Sequence, residues 1–356
     1  MSMLTFVLAV IAVQAVVVAL AAIWLASRAT RRADDIVFTP GGPRRRDHVH
    51  AVQPDEAVEH GVVNQALRDR RPVSARELDK APTLPPGFVI TPGGPRHQSR
   101  VHAVQAHEAI VGGHGGLRIL DTHAGTLRDL PAPEGDDANQ VPEVGSGWIT
   151  YAGWENGTGS SITSFSTTWT VPPPPADAGH QLIFLFNGIE NHGANYGILQ
   201  PVLQWGRSAA GGGPRWMVAS WYVTNDGSAL YSPLVPVSPG DTLVGVMTLT
   251  GVNPVAGGPP TFDYNCVFTG LPHTSLTVRG IGELLWCNQT LEAYRVTGCG
   301  QYPDTPSTSM AAIAIRTGST NPAVVWQPTA DVTDCGQHTV VVSNSSTDGK
   351  VDLFYR

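Results

Sequence analysis

After residue 145 the chain has only four glutamates, Glu155, Glu190, Glu283 and Glu292, with Gln200 and Gln204 as the nearby amide candidates. A carboxylate can take a proton from an attacking water and return it to a leaving amine. A carboxamide can orient that water through its carbonyl and offer N–H to the oxyanion, a donor worth roughly 3–4 kcal/mol. One carboxyl and one carboxamide over a shared water therefore suffice to hydrolyse an amide, if a scaffold holds them together. A second carboxyl close by, such as Glu190, tunes protonation and points to work in acid, because adjacent anions repel.

The scaffold for these groups reads as short β-strands. Alternating runs such as Ser164–Val171, Gln181–Phe186, Arg215–Val223, Thr242–Thr250, Ser309–Arg316, His338–Val342 and Val351–Arg356 sit between Gly, Pro, Asn and Asp turns. Such strands without a long helical period predict an antiparallel β-sandwich, all-β, over residues 147–356. Two glutamines four apart share one face of a regular strand. Trp205, Trp216, Trp221 and Tyr222 are candidates to line a groove on such a sheet, with ordinary core packing the reading expected for at least half of them.

Other chemistries find little support. There is no His-Glu-x-x-His and no Gly-x-Ser-x-Gly. Ser307–Ala311 matches the nucleophile segment of subtilisin-type proteases only in passing, since the preceding glycine and the helix start are missing. The Glu-x-Asp-x-x-Glu spacing of one glucanase family is absent too. No cofactor is expected, and no metal, because Cys-x-x-Cys and Cys/His ligand spacings are lacking. The net charge of −7 argues against nucleic acid as a partner. Residues 146–356 carry 7 Arg/Lys against 13 Asp/Glu, while eight of the twelve histidines precede them.

The four cysteines, Cys266, Cys287, Cys299 and Cys335, all fall in the C-terminal part. An even number in a β-rich exported domain predicts two disulfides with three possible connectivities, of which Cys287–Cys299 with Cys266–Cys335 is preferred for its short loop. Residues 3–27 hold no charge, and Arg28, Arg31 and Arg32 follow. That run is long enough to cross a bilayer, so residues 1–32 are expected to be a signal peptide or a membrane anchor. The expected location is secreted, or membrane-anchored with the C-terminal domain outside the cytoplasm. Oligomeric state is not readable.

Residues 33–146 contain a repeat. Thr39–Arg44 recurs as Thr91–Arg96, Val49–Gln53 as Val101–Gln105 and Glu56-Ala57 as Glu108-Ala109, all at an offset of 52. Two copies are too few for a solenoid. Pro-Gly-Gly-Pro reads as a turn and Val-His-Ala-Val as a short strand. The region is either a duplicated linker or a pro-segment whose Arg and His side chains cover an acidic cleft until pH falls.

Residues 147–356 resemble the glutamic peptidases, or eqolisins. The resemblance rests on Gly147-Trp148 through Ser164–Pro172, on Phe186-Asn187-Gly188-Ile189-Glu190, on Val202-Leu203-Gln204-Trp205-Gly206, on Pro239–Leu243 and on Leu291-Glu292-Ala293-Tyr294. It implies a lectin-like sandwich, peptide or protein substrates, and a catalytic pair of Glu292 and Gln204, with Gln200 as the alternative register through Ile198-Leu199-Gln200. Glu190 stands where the family has Asp, and Phe186 where it has Trp; Trp205, Trp221 and Tyr222 complete the implied groove. A non-catalytic carbohydrate- or protein-binding sandwich is the competing expectation. Of three glycosylation sequons, at Asn156, Asn288 and Asn344, a glycan on Asn288 would crowd an open cleft at Glu292.

Overall fold

The computed structural model describes residues 84–113, 116–130, 147–177, 179–192 and 196–356, with the backbone of two short strands at 36–39 and 42–45. The apolar run at 3–27 lies outside the described residues. Among those described, no helix is long and apolar enough to cross a membrane. The chain divides into two compact units, residues 1–66 and 67–356. In the first, β1 (Ile36–Thr39) and β2 (Gly42–Arg45) form an antiparallel hairpin.

The second unit is nearly all β, with no α-helix among the described residues. One sheet has ten strands in the order β22 (His338–Ser343), β23 (Gly349–Phe354), β20 (Ser307–Thr317), β10 (Ile162–Thr170), β16 (Thr242–Asn253), β17 (Thr261–Phe268), β18 (Leu271–Ile281), β6 (Glu108–Val111), β7 (Arg118–Asp121) and β8 (Thr126–Asp129). The other has nine: β21 (Gln327–Ala330), β9 (Trp148–Glu155), β19 (Trp286–Tyr294), β11 (Leu182–Glu190), β12 (Gly197–Ser208), β13 (Gly211–Thr224), β14 (Ala229–Tyr231) and β5 (Val101–Ala103), with β15 (Val235–Pro236) also on β13. Residues ahead of 147 thus contribute to both sheets. They join through the parallel pairs β5–β14 and β6–β18. A second hairpin, β3 (Phe88–Thr91) with β4 (Gly94–His97), precedes them.

Strand alternation builds the layers. On β17 every second residue is buried, which places Phe262, Tyr264, Cys266 and Phe268 in the core. The main apolar cluster lies between the sheets and includes Phe165, Trp169, Leu185, Leu203, Trp216 and Met310. A second cluster covers the other face of the nine-stranded sheet. There Trp148, Phe184, Phe186, Val202, Trp221 and Val223 pack with Ile90 of β3, and Leu84 and Val101 lie against them.

The cysteine pairing differs from the expectation. Cys299 and Cys335 form a disulfide with 5.6 Å between their Cα atoms. Cys266 and Cys287 are free and buried. The reason is strand direction: Cys266 on β17 and Cys287 on β19 turn into the core between the sheets. Cys299 and Cys335 lie in segments between strands, where their backbones can approach.

Candidate active site

Directly opposed residues of neighbouring strands point to the same face. Glu292 on β19 faces Phe184 on β11, and Phe184 faces Gln204 on β12. Glu292, Gln204, Phe186 and, by period two, Gln200 and Glu190 therefore share the face under the hairpin β3–β4. Trp221 joins them, opposite Gln200 on β13. Trp205 and Tyr222 do not. Each is one residue out of phase and belongs to the core between the sheets, as does Trp216. Their place in a groove is corrected accordingly.

Glu292 is fully buried. The Gly93 backbone N–H lies 2.9 and 3.1 Å from its two carboxyl oxygens, and the Tyr294 hydroxyl donates to Oε1 at 2.5 Å. Burial pushes the Glu292 carboxyl up to about 7, against the Tyr294 and Gly93 hydrogen bonds and the nearby Arg96 guanidinium, which favour its charge. Arg96 is itself buried; it donates to Pro95 O at 2.8 Å and to Thr224 O at 3.4 Å, and its Nε has no partner. The Glu190 carboxyl is also pushed up to about 7 by burial, opposed by a hydrogen bond from the Tyr196 hydroxyl at 2.7 Å. The same hydroxyl feels the charges of Glu292 and Arg96, while neither carboxyl acts on the other.

The two glutamines differ sharply. Gln204 donates through Nε2 to Gly206 O and Gly211 O, both at 3.1 Å, and accepts from Ser208 Oγ at 2.9 Å. These bonds tie together the β12–β13 hairpin, whose register slips between Trp205 and Gly206. Gln200 is fully buried, and neither atom of its amide has a protein partner. On this face Asn288 Nδ2 and Trp221 Nε1 are equally without one. Asn288 faces Gly188 across β19–β11. A Cβ on Gly188 would come within 2.9–3.0 Å of the Asn288 amide, so the glycine makes room for it. Being fully buried, Asn288 is also out of reach as a glycan acceptor.

Gly93, Arg96, Tyr196, Asn288 and Tyr294 are the members of this cluster that sequence reasoning missed. A signal existed for two of them. Asn288, Thr290, Glu292 and Tyr294 alternate on β19 on the side opposite Cys287, Gln289, Leu291 and Ala293, the more polar of the strand's two faces. Among the described residues, no group of three His, Cys, Asp or Glu side chains could hold a metal.

No protein-family model matches the chain. No curated protein matches either. Among solved structures, two of scytalido-glutamic peptidase bound to transition-state analogues are similar, at 13% and 14% identity and TM-score 0.37 for both. They cover 57% and 59% of this chain and 97% and 98% of theirs. A structure of SCP-B, an eqolisin peptidase in complex with the tripeptide Ala-Ile-His, is similar at 14% identity and TM-score 0.34, over 59% of this chain and 98% of its own.

Proposed function

We propose that this chain is an acid-acting endopeptidase made in covered form, with Glu292 as general base and acid and Gln200 as a free amide that holds substrate farther along the same sheet face. The observation that carries this is a fully buried carboxyl on the same sheet face as a fully buried amide free of protein partners. Gln200 is preferred to Gln204 because the latter's amide is already committed to its own hairpin. With the cover displaced, water reaches Glu292 and the burial that raises its carboxyl is relieved; the ionised group then accepts a proton from water attacking the substrate carbonyl and passes it to the amide nitrogen. In the covered state Tyr294, Gly93 and Arg96 favour the charged form of Glu292. The expected substrates are peptides or proteins. Export, by secretion or by anchoring through residues 3–27, is supported by the Cys299–Cys335 disulfide, which belongs in an oxidising compartment.

A non-catalytic peptide-binding sandwich is favoured by one observation. Glu292 and Gln200 stand two strands and four residues apart, about 16 Å between Cα atoms on a flat sheet. A casein digest at pH 3–6 separates the readings. Wild type should cleave, Glu292→Gln should lose essentially all activity, and Gln200→Ala should raise KM with kcat little changed. Cleavage unaffected by Glu292→Gln would remove the peptidase proposal.

A further inference from the structure

The cover carries one cation into the face it hides. Arg96, on β4, is only 7% exposed. Its guanidinium donates to Thr224 O at 3.4 Å on the sheet side and to Pro95 O at 2.8 Å on its own hairpin. Gly94 makes room for it: a Cβ there would stand 3.4 Å from Arg96 Nη1 and 3.9 Å from the Tyr294 hydroxyl. Burial disfavours the charge of Arg96, while Tyr294, Tyr196, Glu292 and Asp226 all favour it.

The sheet's share of this pocket is built of acceptors. The Tyr294 hydroxyl gives its proton to Glu292, and the Tyr196 hydroxyl gives its own to Glu190 at 2.7 Å, so each oxygen keeps a lone pair for an incoming donor. Thr224 offers its main-chain carbonyl at the end of β13. Asp226 Oδ1 accepts from Thr224 Oγ1 at 2.5 Å and from Ser228 N at 2.9 Å, which fixes its carboxylate near that carbonyl. These groups come from separate stretches of chain and converge from several directions. A planar fork of N–H donors meets such a set; a compact ammonium does not.

We infer that this pocket is a specificity subsite for arginine, filled by a guanidinium of the peptide that takes the cover's place. The inference rests on the peptidase reading above, since the peptide so held is the substrate. The cover itself fits the pocket imperfectly. Arg96 is tied into β4 opposite Val89, its bond to Thr224 is long, and its Nε has no partner. An arginine on a free peptide is released from that register and can present its whole fork.

The repeat adds an independent mark. Thr-Pro-Gly-Gly-Pro-Arg is identical at 39–44 and 91–96, while strand residues around it differ: Ile36 against Phe88, Phe38 against Ile90, Arg45 against His97. The two hairpins share one register, with Arg44 opposite Val37 as Arg96 is opposite Val89. The duplication has kept the turn and its arginine unaltered.

Two measurements test the subsite. Full-length protein is given matched fluorogenic peptides at pH 3–6, with arginine, lysine or citrulline at each position in turn. At one position arginine should lower KM about tenfold or more against both, with kcat little changed. Asp226→Asn should shrink that ratio about threefold or more. The second measurement needs no catalysis. Arg96→Ala empties the pocket, with Arg96→Val in its place if the alanine variant does not fold. Ethylguanidinium at about 10 mM should raise the variant's Tm by about 2–4 °C and leave wild type unmoved. Ethylammonium and urea should have no such effect. Casein cleavage without any arginine preference overturns the inference and spares the peptidase reading. Rescue of Tm by ethylammonium as fully as by ethylguanidinium, or by neither, also overturns it. Rescue by ethylguanidinium alone in a chain that cleaves no casein keeps the arginine pocket and removes the peptidase reading.

Discussion

At the scale of single residues, hydrogen-bond satisfaction distinguishes the two glutamines more sharply than motif spacing does. Gln204 spends both amide atoms on its own hairpin, while Gln200 makes no bond to protein. Removing an unpartnered buried amide costs little or even stabilises, whereas stranding three partners is expensive. Gln200→Leu should therefore unfold within about 1 kcal/mol of wild type in urea, and Gln204→Leu should lose about 2–4 kcal/mol. The reverse order would mean that Gln200 is structural. In the sequence, two glutamines four apart on one strand face were indistinguishable by alternation, because the two keep the same phase. Glu292 was singled out by the Leu291-Glu292-Ala293-Tyr294 stretch, among only four glutamates after residue 145. Its neighbours Gly93 and Arg96 were not, since about two hundred residues separate them from it in the chain.

At the scale of elements, the strands around the site were readable and their partners were not. The expected runs Thr242–Thr250 and His338–Val342 fall on β16 and β22 nearly end to end. Period two also explains the failures. Cys266, Cys287, Trp205 and Tyr222 were placed by type and proximity, but each turns inward to the core between the sheets. The disulfide offers a direct check. Its sequence separation of 36 residues gives a loop-closure contribution of about 4 kcal/mol. Reduction should lower stability by an amount of that order, about 2–4 kcal/mol by urea titration. Cys266 and Cys287 should stay unreactive to thiol reagents until unfolding, as burial pushes both thiols up. Rapid labelling of four thiols after mild reduction would contradict this arrangement.

At the scale of the whole molecule, the covered cleft couples charge to stability. Glu292 has its carboxyl raised from 4.5 to about 7 by burial. In the folded state it keeps a proton that the unfolded chain releases, so its contribution is fully favourable below pH 4.5 and is lost as pH rises towards 7. The loss is about 3 kcal/mol. His102 on β5 works the other way. Burial lowers it below 6.5, aided by Arg128 and Arg100, so it costs stability as acid charges the unfolded ring first. Among the described residues, the expectation that histidines would loosen the cover in acid has His102 as a contributor of the right sign, opposed by the carboxyl itself. Thermal unfolding should give a higher Tm at pH 4.5 than at pH 7.5, and Glu292→Gln should shrink that difference. A wild-type Tm that climbs steadily from pH 4.5 to 7.5 would contradict the assignment. The sandwich as a class was legible in the strand alternation. The closing of both sheets by strands ahead of residue 147 was not, because parallel pairing between distant segments leaves no local pattern.

The parallel pairs β5–β14 and β6–β18 carry one more consequence, for the order in which the molecule is made. A ribosome releases Val101 128 residues before its ladder partner Ala229, and the turn at Gly93 well before the strand that bears Glu292. Synthesis from the amino end gives the earlier segment a head start in finding its place. The carboxyl therefore enters the nascent protein with its cap already waiting beside it.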